Sequence, residues 1–401
     1  MPAVQRRHQG SYLTVNGPVQ INIPPIIFSG AGAFDEAAPQ AVRAGLKNVL
    51  VVSDPYLVEQ GLPARMVDRC RQAGIEACVY GGVTPEPTDV NVEEGLALLN
   101  ENGCEVVIAV GGGSSIDAGK AIAVMAANDG PLSAYAGYHR IPRPGVPLFA
   151  VPTTAGTGSE MTRVTVITDT RRNVKMMILD AHLLPAAAFV DYTLTLSMPR
   201  PLTANVGVDT LTHGIEAYVS RKNVTMTDAL ALSCVDLVGR HLVRAWKHPG
   251  DHEARGGMME AASLGGMAFS NSSVCLVHGM SRPLGAVFHL PHGLSNSVLL
   301  PAVTRFSAPA APERYAVLAR KLGWAGEGDD ACRACDLLID GLRKLNDTVE
   351  IPGLRDCGIS KAALTGALDK MADDALASGS PQNNPRVPTA DEIKSLYLEA
   401  Y

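Results

Sequence analysis

Three short apolar runs restrict the folds open to this chain more than any other feature of its sequence. They cover residues 47–53 (KNVLVVS), 105–110 (EVVIAV) and 148–152 (LFAVP), and none of them alternates apolar with polar side chains. Uninterrupted apolar runs of this length are typical of parallel strands that are covered on both faces. Helical spacing appears between them at residues 62–73 and 91–100. This alternation predicts an α/β domain built on a mostly parallel sheet.

The second half of the chain has a different texture. From Thr203 onward, apolar residues recur at three- and four-residue spacing, which predicts helices. The clearest segments are 228–241, 252–268, 312–322, 331–345 and 361–375. At 401 residues the chain exceeds the roughly 250–300 residues at which single cores stop growing. We therefore predict two domains, an α/β domain at residues 1–195 and an all-helical domain at residues 196–401.

Residues 21–23 and 26–28 form two further apolar runs, which Pro24 and Pro25 separate. Proline lacks the backbone donor that a central strand needs, so both runs are predicted to be edge strands. An exposed sheet edge can pair with its counterpart in a second copy. We therefore expect a homodimer or a larger homo-oligomer.

Charge and residue usage exclude several classes of partner. The formal net charge is −6 and the pI is about 5.9, so no basic surface is predicted for nucleic acid or anionic lipid. No stretch reaches the ~18 apolar residues of a membrane span, and no apolar run follows Arg6 and Arg7 as it would in a signal peptide. The one C-x-x-C pair, Cys332 and Cys335, lies in a segment with helical spacing and is expected to be structural. We expect a cytoplasmic protein.

A glycine-rich turn follows the run EVVIAV. Gly112, Gly113 and Ser114 belong to the segment GGGSSIDAGK, and helical spacing continues to Asn128. Consecutive glycines let the backbone approach a ligand, and the start of a helix offers free amides and a favourable dipole to a pyrophosphate. A plain strand-to-helix turn is the alternative. The segment TTAGTGSE at residues 153–160 follows another predicted strand and is either a second phosphate- or ribose-binding loop or only a polar one.

These glycines do not form the common dinucleotide-binding fingerprint G-x-G-x-x-G, since position 116 is Ile. The acidic residue that ends a predicted strand, Asp54, comes before the glycines. The common fold places it about 20 residues after them. The sequence therefore predicts a nucleotide-binding fold of a different kind.

Four side chains in the second half suit a metal ion. Asp209 and His213 are spaced i, i+4, so a helix projects them from one face. His278 and His292 would complete the site from elsewhere in the chain. One carboxylate with three imidazoles suits Fe²⁺, Zn²⁺, Mn²⁺, Co²⁺ or Ni²⁺ and argues against a thiolate site. Taken singly, each histidine is equally well explained as a core or surface residue.

The motifs and their order resemble the group III, or iron-containing, alcohol dehydrogenases over nearly the whole chain. The matching segments are PEPT at 85–88, TTAGTGSE at 153–160, GVDTLTHGIEAY at 207–218 and HGMSRPLGAVFHLPHG at 278–293. The resemblance implies a parallel-sheet nucleotide-binding domain followed by a helical metal-binding domain, as in dehydroquinate synthase. It also implies hydride transfer between NAD(H) and a primary alcohol or aldehyde in the cleft between the two domains.

By this resemblance, Asp209, His213, His278 and His292 are the ligands of Fe²⁺ or Zn²⁺. Asp54 would hold the adenosine ribose, and a carboxylate there repels a 2′-phosphate, so NAD is expected in preference to NADP. The other positions that the resemblance assigns to the cofactor are Gly112, Gly113 and Ser114 at the pyrophosphate, and Thr153, Thr154, Thr157, Thr162, Val164, Lys175 and Leu194 around the rest of the molecule. His289 falls on no ligand position and is interpreted as a cleft-lining or surface residue.

The sequence departs from the family pattern at Arg282. Many members have a second histidine here, near the metal, to which a role in proton transfer is often given. Arginine does not release a proton near neutral pH, because its pKa exceeds ~12. Its planar fork suits a carboxylate or phosphonate, which leads to the narrower hypothesis that Arg282 contacts an anionic group on the substrate. A structural ion pair or a surface arginine is the alternative.

Three other functions stay open at this point. A polyol dehydrogenase of the glycerol type and a lyase resembling dehydroquinate synthase share the fold, but both have a different ligand pattern. A non-catalytic NAD-binding sensor with a structural ion is the third. Structural zinc sites are usually closed and cysteine-rich, so the Asp and His residues here favour a working site.

Overall fold

The computed structural model describes residues 18–401. The first seventeen residues, over which the sequence predicts no signal peptide, lie outside the described residues. Within 18–401, no helix has both the length and the apolar character needed to cross a membrane. An α/β domain comes first along the chain and a helical domain follows it. This order confirms the fold class predicted from the sequence.

Strands and helices alternate through the α/β domain. In chain order they are β1 (Ile27–Ser29), α1 (Ala37–Arg43), β2 (Asn48–Val52), α2 (Pro55–Glu59), α3 (Leu62–Gln72), β3 (Glu76–Tyr80), α4 (Asp89–Glu101), β4 (Val106–Gly111), α5 (Gly113–Met125), β5 (Gly137–Tyr138), β6 (Leu148–Pro152), β7 (Val164–Asp169), β8 (Val174–Leu179) and β9 (Ala187–Val190). The apolar runs at residues 47–53, 105–110 and 148–152 form β2, β4 and β6, as predicted.

Six of these strands form a parallel sheet in the order β1-β9-β6-β4-β2-β3. Alternate residues of each central strand enter two separate cores. Leu50 and Val52 of β2 pack with Ile122 of α5 on one face, whereas Val49 and Val51 belong to the core on the other face. Because both faces are covered, the strands carry uninterrupted apolar runs in the sequence.

The carboxyl ends of β2, β4 and β6 lie side by side. The Thr153 N–H donates to the Gly111 carbonyl at 3.0 Å, and the Ser53 hydroxyl donates to the Val110 carbonyl at 2.8 Å. Asp54 lies two residues after the end of β2. The acidic residue, the glycine turn and the threonine-rich loop therefore share one edge of the sheet.

The prediction of a strand at residues 21–23 is wrong. Residues 18–26 contain no strand, while β1 lies at the sheet edge as expected for the second run. Asn22 donates its N–H to Asn271 Oδ1 at 2.8 Å and accepts at its carbonyl from Asn271 Nδ2 at 3.0 Å. One side-chain amide from the helical domain thus satisfies the backbone groups that a neighbouring strand would otherwise pair with.

A second sheet was not predicted. It has the order β5-β8-β7, with β7 and β8 antiparallel. The buried positions of β7 are Thr165, Ile167 and Asp169, so two of its three buried side chains are polar. Both have partners, because Thr165 donates to the Asp117 carbonyl and Asp169 accepts from Arg172. The apolar pattern that marks an ordinary strand is therefore missing.

The second domain is made of helices. They are α6 (Arg200–Val219), α7 (Thr225–Lys247), α8 (His252–Ser272), α9 (Leu276–Phe288), α10 (His292–Ser307), α11 (Pro312–Lys321), α12 (Ala331–Thr348), α13 (Lys361–Ala377) and α14 (Ala390–Glu399). The five predicted helical segments correspond to α7, α8, α11, α12 and α13. Helix α6 is central, since α7, α8, α9 and α10 all pack on it and residues 207–219 are all buried.

Candidate active site

The glycine turn between β4 and α5 presents backbone amides. Gly112 is the N-cap of α5, and no side chain caps the start of this helix. The amides of its first turn are therefore open to an anion. A Cβ at Gly113 would lie 2.9 Å from Thr157 Cγ2, and a Cβ at Gly112 would lie 3.5 Å from Thr154 Cγ2. The turn touches the threonine-rich loop, and position 113 has no room for a side chain.

Asp54 and Ser114 border the same turn. Asp54 caps α2, because its Oδ1 accepts from the Leu57 N–H at 3.0 Å, and its Oδ2 accepts from the Ser115 hydroxyl at 3.4 Å. The Ser114 hydroxyl donates to the Pro85 carbonyl at 2.5 Å. Asp54 is only half-buried. Its carboxylate can therefore accept a further hydrogen bond from a ligand hydroxyl.

Two predicted cofactor positions, Thr162 and Val164, contact the buried Lys120, for which no role was predicted from the sequence. Lys120 Nζ donates to Thr162 Oγ1 at 2.8 Å, to the Val164 carbonyl at 2.7 Å and to Ser159 Oγ at 3.0 Å. Asp117 Oδ1 lies 4.0 Å from the ammonium and accepts from the Ser159 hydroxyl at 2.6 Å. Burial lowers the pKa of Lys120 to about 8. Asp117, Lys120, Ser159 and Thr162 are called the lysine cluster below.

The last two predicted cofactor positions lie elsewhere in the α/β domain. Lys175 on β8 is exposed, and its Nζ donates to Glu86 Oε1 at 2.6 Å. Glu86 belongs to the PEPT motif. Leu194 lies in the short 3-10 helix Tyr192–Thr195 and packs against one of the two cores of the sheet. Among the described residues, no hydrogen bond joins either side chain to the glycine turn.

Asp209, His213, His278 and His292 come together in the helical domain, and they are called the quartet below. One ligand atom from each lies within 4.8 Å of those from the other three. Asp209 Oδ1 is 3.8 Å from His213 Nε2, 3.7 Å from His278 Nε2 and 4.0 Å from His292 Nε2. Three separate helices supply the four side chains, which are α6, α9 and the first residue of α10.

Packing holds these rings in place. The i, i+4 spacing on α6 directs Asp209 and His213 to one face, as predicted. The ring of Phe269 on α8 stacks on His213 at a centroid distance of 4.3 Å, and His213 in turn stacks on His278 at 4.8 Å. His292 has 48% of its side chain exposed, whereas the other three members are buried. The quartet is thus closed on three sides and open at His292.

The imidazoles of the quartet are neutral at physiological pH. Burial lowers the pKa of His213 to about 4, against the opposing effect of Glu216. Desolvation also lowers the pKa of His278 and of His292, although the Asp209 carboxylate acts in the opposite direction on both. Neutral imidazole is the form that binds a metal ion, so protons compete little for these ligand atoms near neutral pH.

Glu216 orients one of the imidazoles, a role that was not predicted from the sequence. Its Oε2 lies 2.6 Å from His278 Nδ1, and its Oε1 accepts from the Val277 N–H at 2.6 Å. A proton on Nδ1 leaves the Nε2 lone pair of His278 directed into the quartet. Burial raises the pKa of Glu216 to about 7. The sequence did contain a signal for this role. Glu216 is three residues after His213, a spacing that places both side chains on neighbouring positions of one helix face.

Asn296 provides a test of whether the quartet fits a cation. Its Nδ2 lies 2.6 Å from Asp209 Oδ1, 3.1 Å from His278 Nε2 and 3.2 Å from His292 Nε2. The amide hydrogens of this buried residue thus stand where lone pairs converge. Its Oδ1 is buried and, within the described residues, has no hydrogen-bond partner. The lone pairs of the Asp209 carboxylate and of the imidazoles converge on this donor. One carboxylate and three imidazoles are ligands that suit a divalent ion such as Fe²⁺ or Zn²⁺.

Two further residues of the predicted motif lie near the quartet. His289 is the C-cap residue of α9 and has a φ of 56°. It is exposed, so it lies at the surface and outside the quartet. Arg282 is half-buried, and its Nη1 donates to Ser380 Oγ at 3.0 Å. It lies on α9 one turn after His278, which places both side chains on the same face of the helix.

The threonine-rich loop joins the cofactor edge to the helices of the quartet. Thr210, which lies between Asp209 and His213 on α6, places its hydroxyl 2.9 Å from the Val206 carbonyl of its own helix and 3.2 Å from the Ala155 carbonyl of the loop. Gly158 of the loop meets Gly266 of α8 so closely that a Cβ on Gly158 would lie 2.7 Å from the Gly266 Cα. The loop therefore contacts both α6, which carries Asp209 and His213, and α8.

The chain matches two family models that together span most of its length. Residues 24–192 match the model described as iron-containing alcohol dehydrogenase. Residues 203–401 match the model described as the C-terminal part of the Fe-containing alcohol dehydrogenase family.

Individual relatives and a solved structure agree with these models. The 1,3-propanediol dehydrogenase of Citrobacter freundii is 37% identical over 382 residues, which cover 94% of this chain and 98% of that protein. The NAD-dependent methanol dehydrogenase of Bacillus methanolicus is 36% identical over 379 residues, covering 94% and 98%. The crystal structure of a 1,3-propanediol oxidoreductase superposes with a TM-score of 0.93 at 36% identity, covering 96% of this chain and 100% of that one.

Proposed function

This chain belongs to the iron-containing alcohol dehydrogenase family, and we propose that it transfers a hydride between NAD(H) and a primary alcohol or the corresponding aldehyde at the junction of its two domains. The resemblance identified from the motifs is confirmed, as is the class of enzyme, an NAD-linked alcohol dehydrogenase or aldehyde reductase. The observation that carries the proposal is the contact between the threonine-rich loop and helix α6, which bears Asp209 and His213.

In this proposal the quartet holds a divalent metal ion, Fe²⁺ or Zn²⁺. When bound, the ion supplies Lewis acidity toward a substrate oxygen, and NAD(H) supplies the hydride chemistry. Glu216 keeps the His278 proton on Nδ1, which the 2.6 Å contact supports. Asn296 contacts three of the four ligand atoms and restricts their positions. The open side at His292 is the route by which substrate reaches the quartet.

The cofactor roles also remain proposals. Asp54 accepts hydrogen bonds from the adenosine ribose, which its half-buried position and its remaining lone pairs support. The amides of residues 112–114 hold the pyrophosphate, because no side chain caps the start of α5. Thr153, Thr154 and Thr157 line the path toward the quartet. Thr162 and Val164 act through the lysine cluster, and Lys175 and Leu194 bound the site from the periphery.

Metal removal tests the proposal. The protein is treated with chelator, its metal content is measured, and NADH absorbance is followed with a panel of primary alcohols before and after Fe²⁺ or Zn²⁺ is restored. We expect turnover to be lost and then regained with one of the two ions. Full activity in protein verified to be metal-free contradicts the proposal.

The same assay separates the alternatives. A sensor would bind NADH without turnover, whereas a polyol dehydrogenase would prefer glycerol-like diols over simple primary alcohols. A lyase resembling dehydroquinate synthase would give no net formation of NADH from an alcohol.

We also propose the two domains at residues 1–195 and 196–401, assembly into a homo-oligomer, and a cytoplasmic location. The two family-model matches, 24–192 and 203–401, support the boundary. The exposed edge strand β1 supports assembly, and the eight free cysteines support a reducing compartment. Light scattering on the purified protein measures the oligomeric state, and a monomer at micromolar concentration would contradict the assembly.

A further inference from the structure

Arg282 is a cation with most of its hydrogen-bonding capacity unused. Its guanidinium carries five N–H donors, and one of its nitrogens, Nη1, bonds to the Ser380 hydroxyl at 3.0 Å. Within residues 18–401, no carboxylate oxygen lies within the 4.0 Å of an ion pair with Arg282. The side chain is also half-buried. Neither a structural ion pair nor a surface arginine, the two alternatives left open by the sequence, describes it.

Arg255, a buried arginine in the same domain, uses all three of its side-chain nitrogens in hydrogen bonds. Arg255 is 2% exposed, and its Nε, Nη1 and Nη2 donate to the Pro249 carbonyl, the Thr203 hydroxyl and the Met198 carbonyl at 3.0, 2.9 and 3.2 Å. Leaving a buried charge without such partners is costly. All three side-chain nitrogens of Arg255 are thus engaged, whereas within the described residues one nitrogen of Arg282, Nη1, donates a hydrogen bond.

The charges around Arg282 favour an anion. It lies one turn after His278 on α9, about 6 Å along the helix axis. Glu216 is the charged neighbour that acts on it most strongly, and that carboxylate is already engaged by His278 and Val277. A bound divalent ion and Arg282 would carry three positive charges against at most two negative charges on Asp209 and Glu216, so the site would be net positive. Two positive centres this close attract a negatively charged group between them.

We propose that Arg282 anchors a carboxylate on the substrate, so that the preferred substrates are short ω-hydroxy acids and the matching oxo acids. This inference rests on the proposed dehydrogenase function. The planar fork of arginine pairs with a carboxylate through two parallel hydrogen bonds, which favours a carboxylate over a neutral hydroxyl. Arg282 and His278 lie one helical turn apart, which favours a short spacer between the carboxylate and the reacting carbon. Arg282 is thus a specificity residue and not a proton donor.

A matched pair of substrates tests this assignment. We compare 4-hydroxybutanoate with 1-butanol in the holoenzyme and in Arg282→Ala and Arg282→Lys. Hydrogen bonds to charged groups contribute about 1.5–3 kcal/mol, so kcat/KM for the hydroxy acid should fall about 10- to 100-fold in Arg282→Ala. The value for 1-butanol should change less than about threefold. Arg282→Lys, which keeps the charge without the fork, should fall between the two. An equal loss for both substrates overturns the proposal.

A binding measurement separates this inference from the proposed function. Butanoate, which has no hydroxyl to oxidise, is titrated calorimetrically into the wild type, Arg282→Ala and the control Arg343→Ala. Arg343 is an exposed arginine on α12 near Asp340 and serves as a matched substitution outside the site. We expect weaker butanoate binding only in Arg282→Ala. Unchanged binding in that variant overturns the anion site. Absence of alcohol turnover in the wild type, with butanoate binding intact, overturns the dehydrogenase proposal instead.

Discussion

Two clusters of polar side chains, the lysine cluster and the quartet, differ in how completely their atoms are satisfied. In the lysine cluster, three oxygens accept from Lys120 and a serine hydroxyl donates to Asp117. In the quartet, one carboxylate and three neutral imidazoles direct lone pairs at a common point, and the donor there belongs to Asn296, whose Oδ1 is left without a partner. The first group is complete with protein atoms alone. The second has the ligand atoms and spacing to hold a cation.

This difference is a guide to role. Buried polar groups normally find partners inside the protein, so a set that leaves lone pairs converging indicates a ligand. The lysine cluster is expected to stabilise the turn between the sheet and the threonine-rich loop. The quartet is expected to contribute to binding. Substitutions in the two groups should therefore separate metal affinity from stability.

Asp209→Asn should have the largest effect on metal binding. The substitution removes the single negative charge of the quartet while keeping the shape of the side chain. Loss of an outer contact to a ligand already costs 10- to 100-fold in affinity, so loss of the anionic ligand should exceed about 100-fold. Competition with a chelator, followed by metal analysis, measures the change. A circular-dichroism melt serves as the control for folding. If Asp209→Asn retained metal as the wild type does, the proposed difference in role between the quartet and the lysine cluster would be wrong.

Glu216→Gln should have an intermediate effect. Glu216 accepts from both His278 Nδ1 and the Val277 N–H, and an amide must turn its NH₂ group toward one of these donors. We expect metal affinity to fall about 10- to 100-fold, as for other second contacts to a metal-binding histidine. The same chelator competition applies. If the affinity is unchanged, His278 is oriented by packing alone.

Lys120→Met should have no effect on metal affinity and a clear effect on stability. The substitution leaves the Val164 carbonyl and the Asp117 carboxylate buried without their cation. Removing one partner from a buried charged group costs about 3–5 kcal/mol, so the free energy of unfolding should fall by about that amount. Urea denaturation measures it, with metal content determined on the same sample. Loss of metal at full stability would show that the lysine cluster belongs to the metal site.

The parts of the structure that depend on local sequence were predictable. The strands β2, β4 and β6 were found because burial on both faces leaves an uninterrupted apolar run. Asp209 and His213 were paired correctly because i, i+4 spacing acts within one helix. His278 and His292 could be proposed as partners from their residue types, but assigning them as ligands relied on the family resemblance, since nothing local in the sequence brings three helices together.

The features that escaped prediction depend on distant partners. Asn271 supplies the hydrogen bonds that replace a strand at residues 21–23, and it lies in another domain. The buried face of β7 carries Thr165 and Asp169, whose partners cannot be read from the pattern of that segment. Asn296 is four residues after His292, a spacing that was available, but a neutral amide gave no reason to place it among metal ligands.

The contact between the threonine-rich loop and α6 provides a route by which NADH binding and metal binding would depend on each other. NADH would order residues 153–157 of the loop, and the metal ion would order Asp209 and His213 on α6. The loop and α6 meet at the Thr210–Ala155 contact, so each ligand would stabilise the same contact. Linkage then requires reciprocity, so that any factor by which the ion tightens NADH binding equals the factor by which NADH tightens the ion. An enzyme built in this way would lose its metal most readily when its cofactor is scarce.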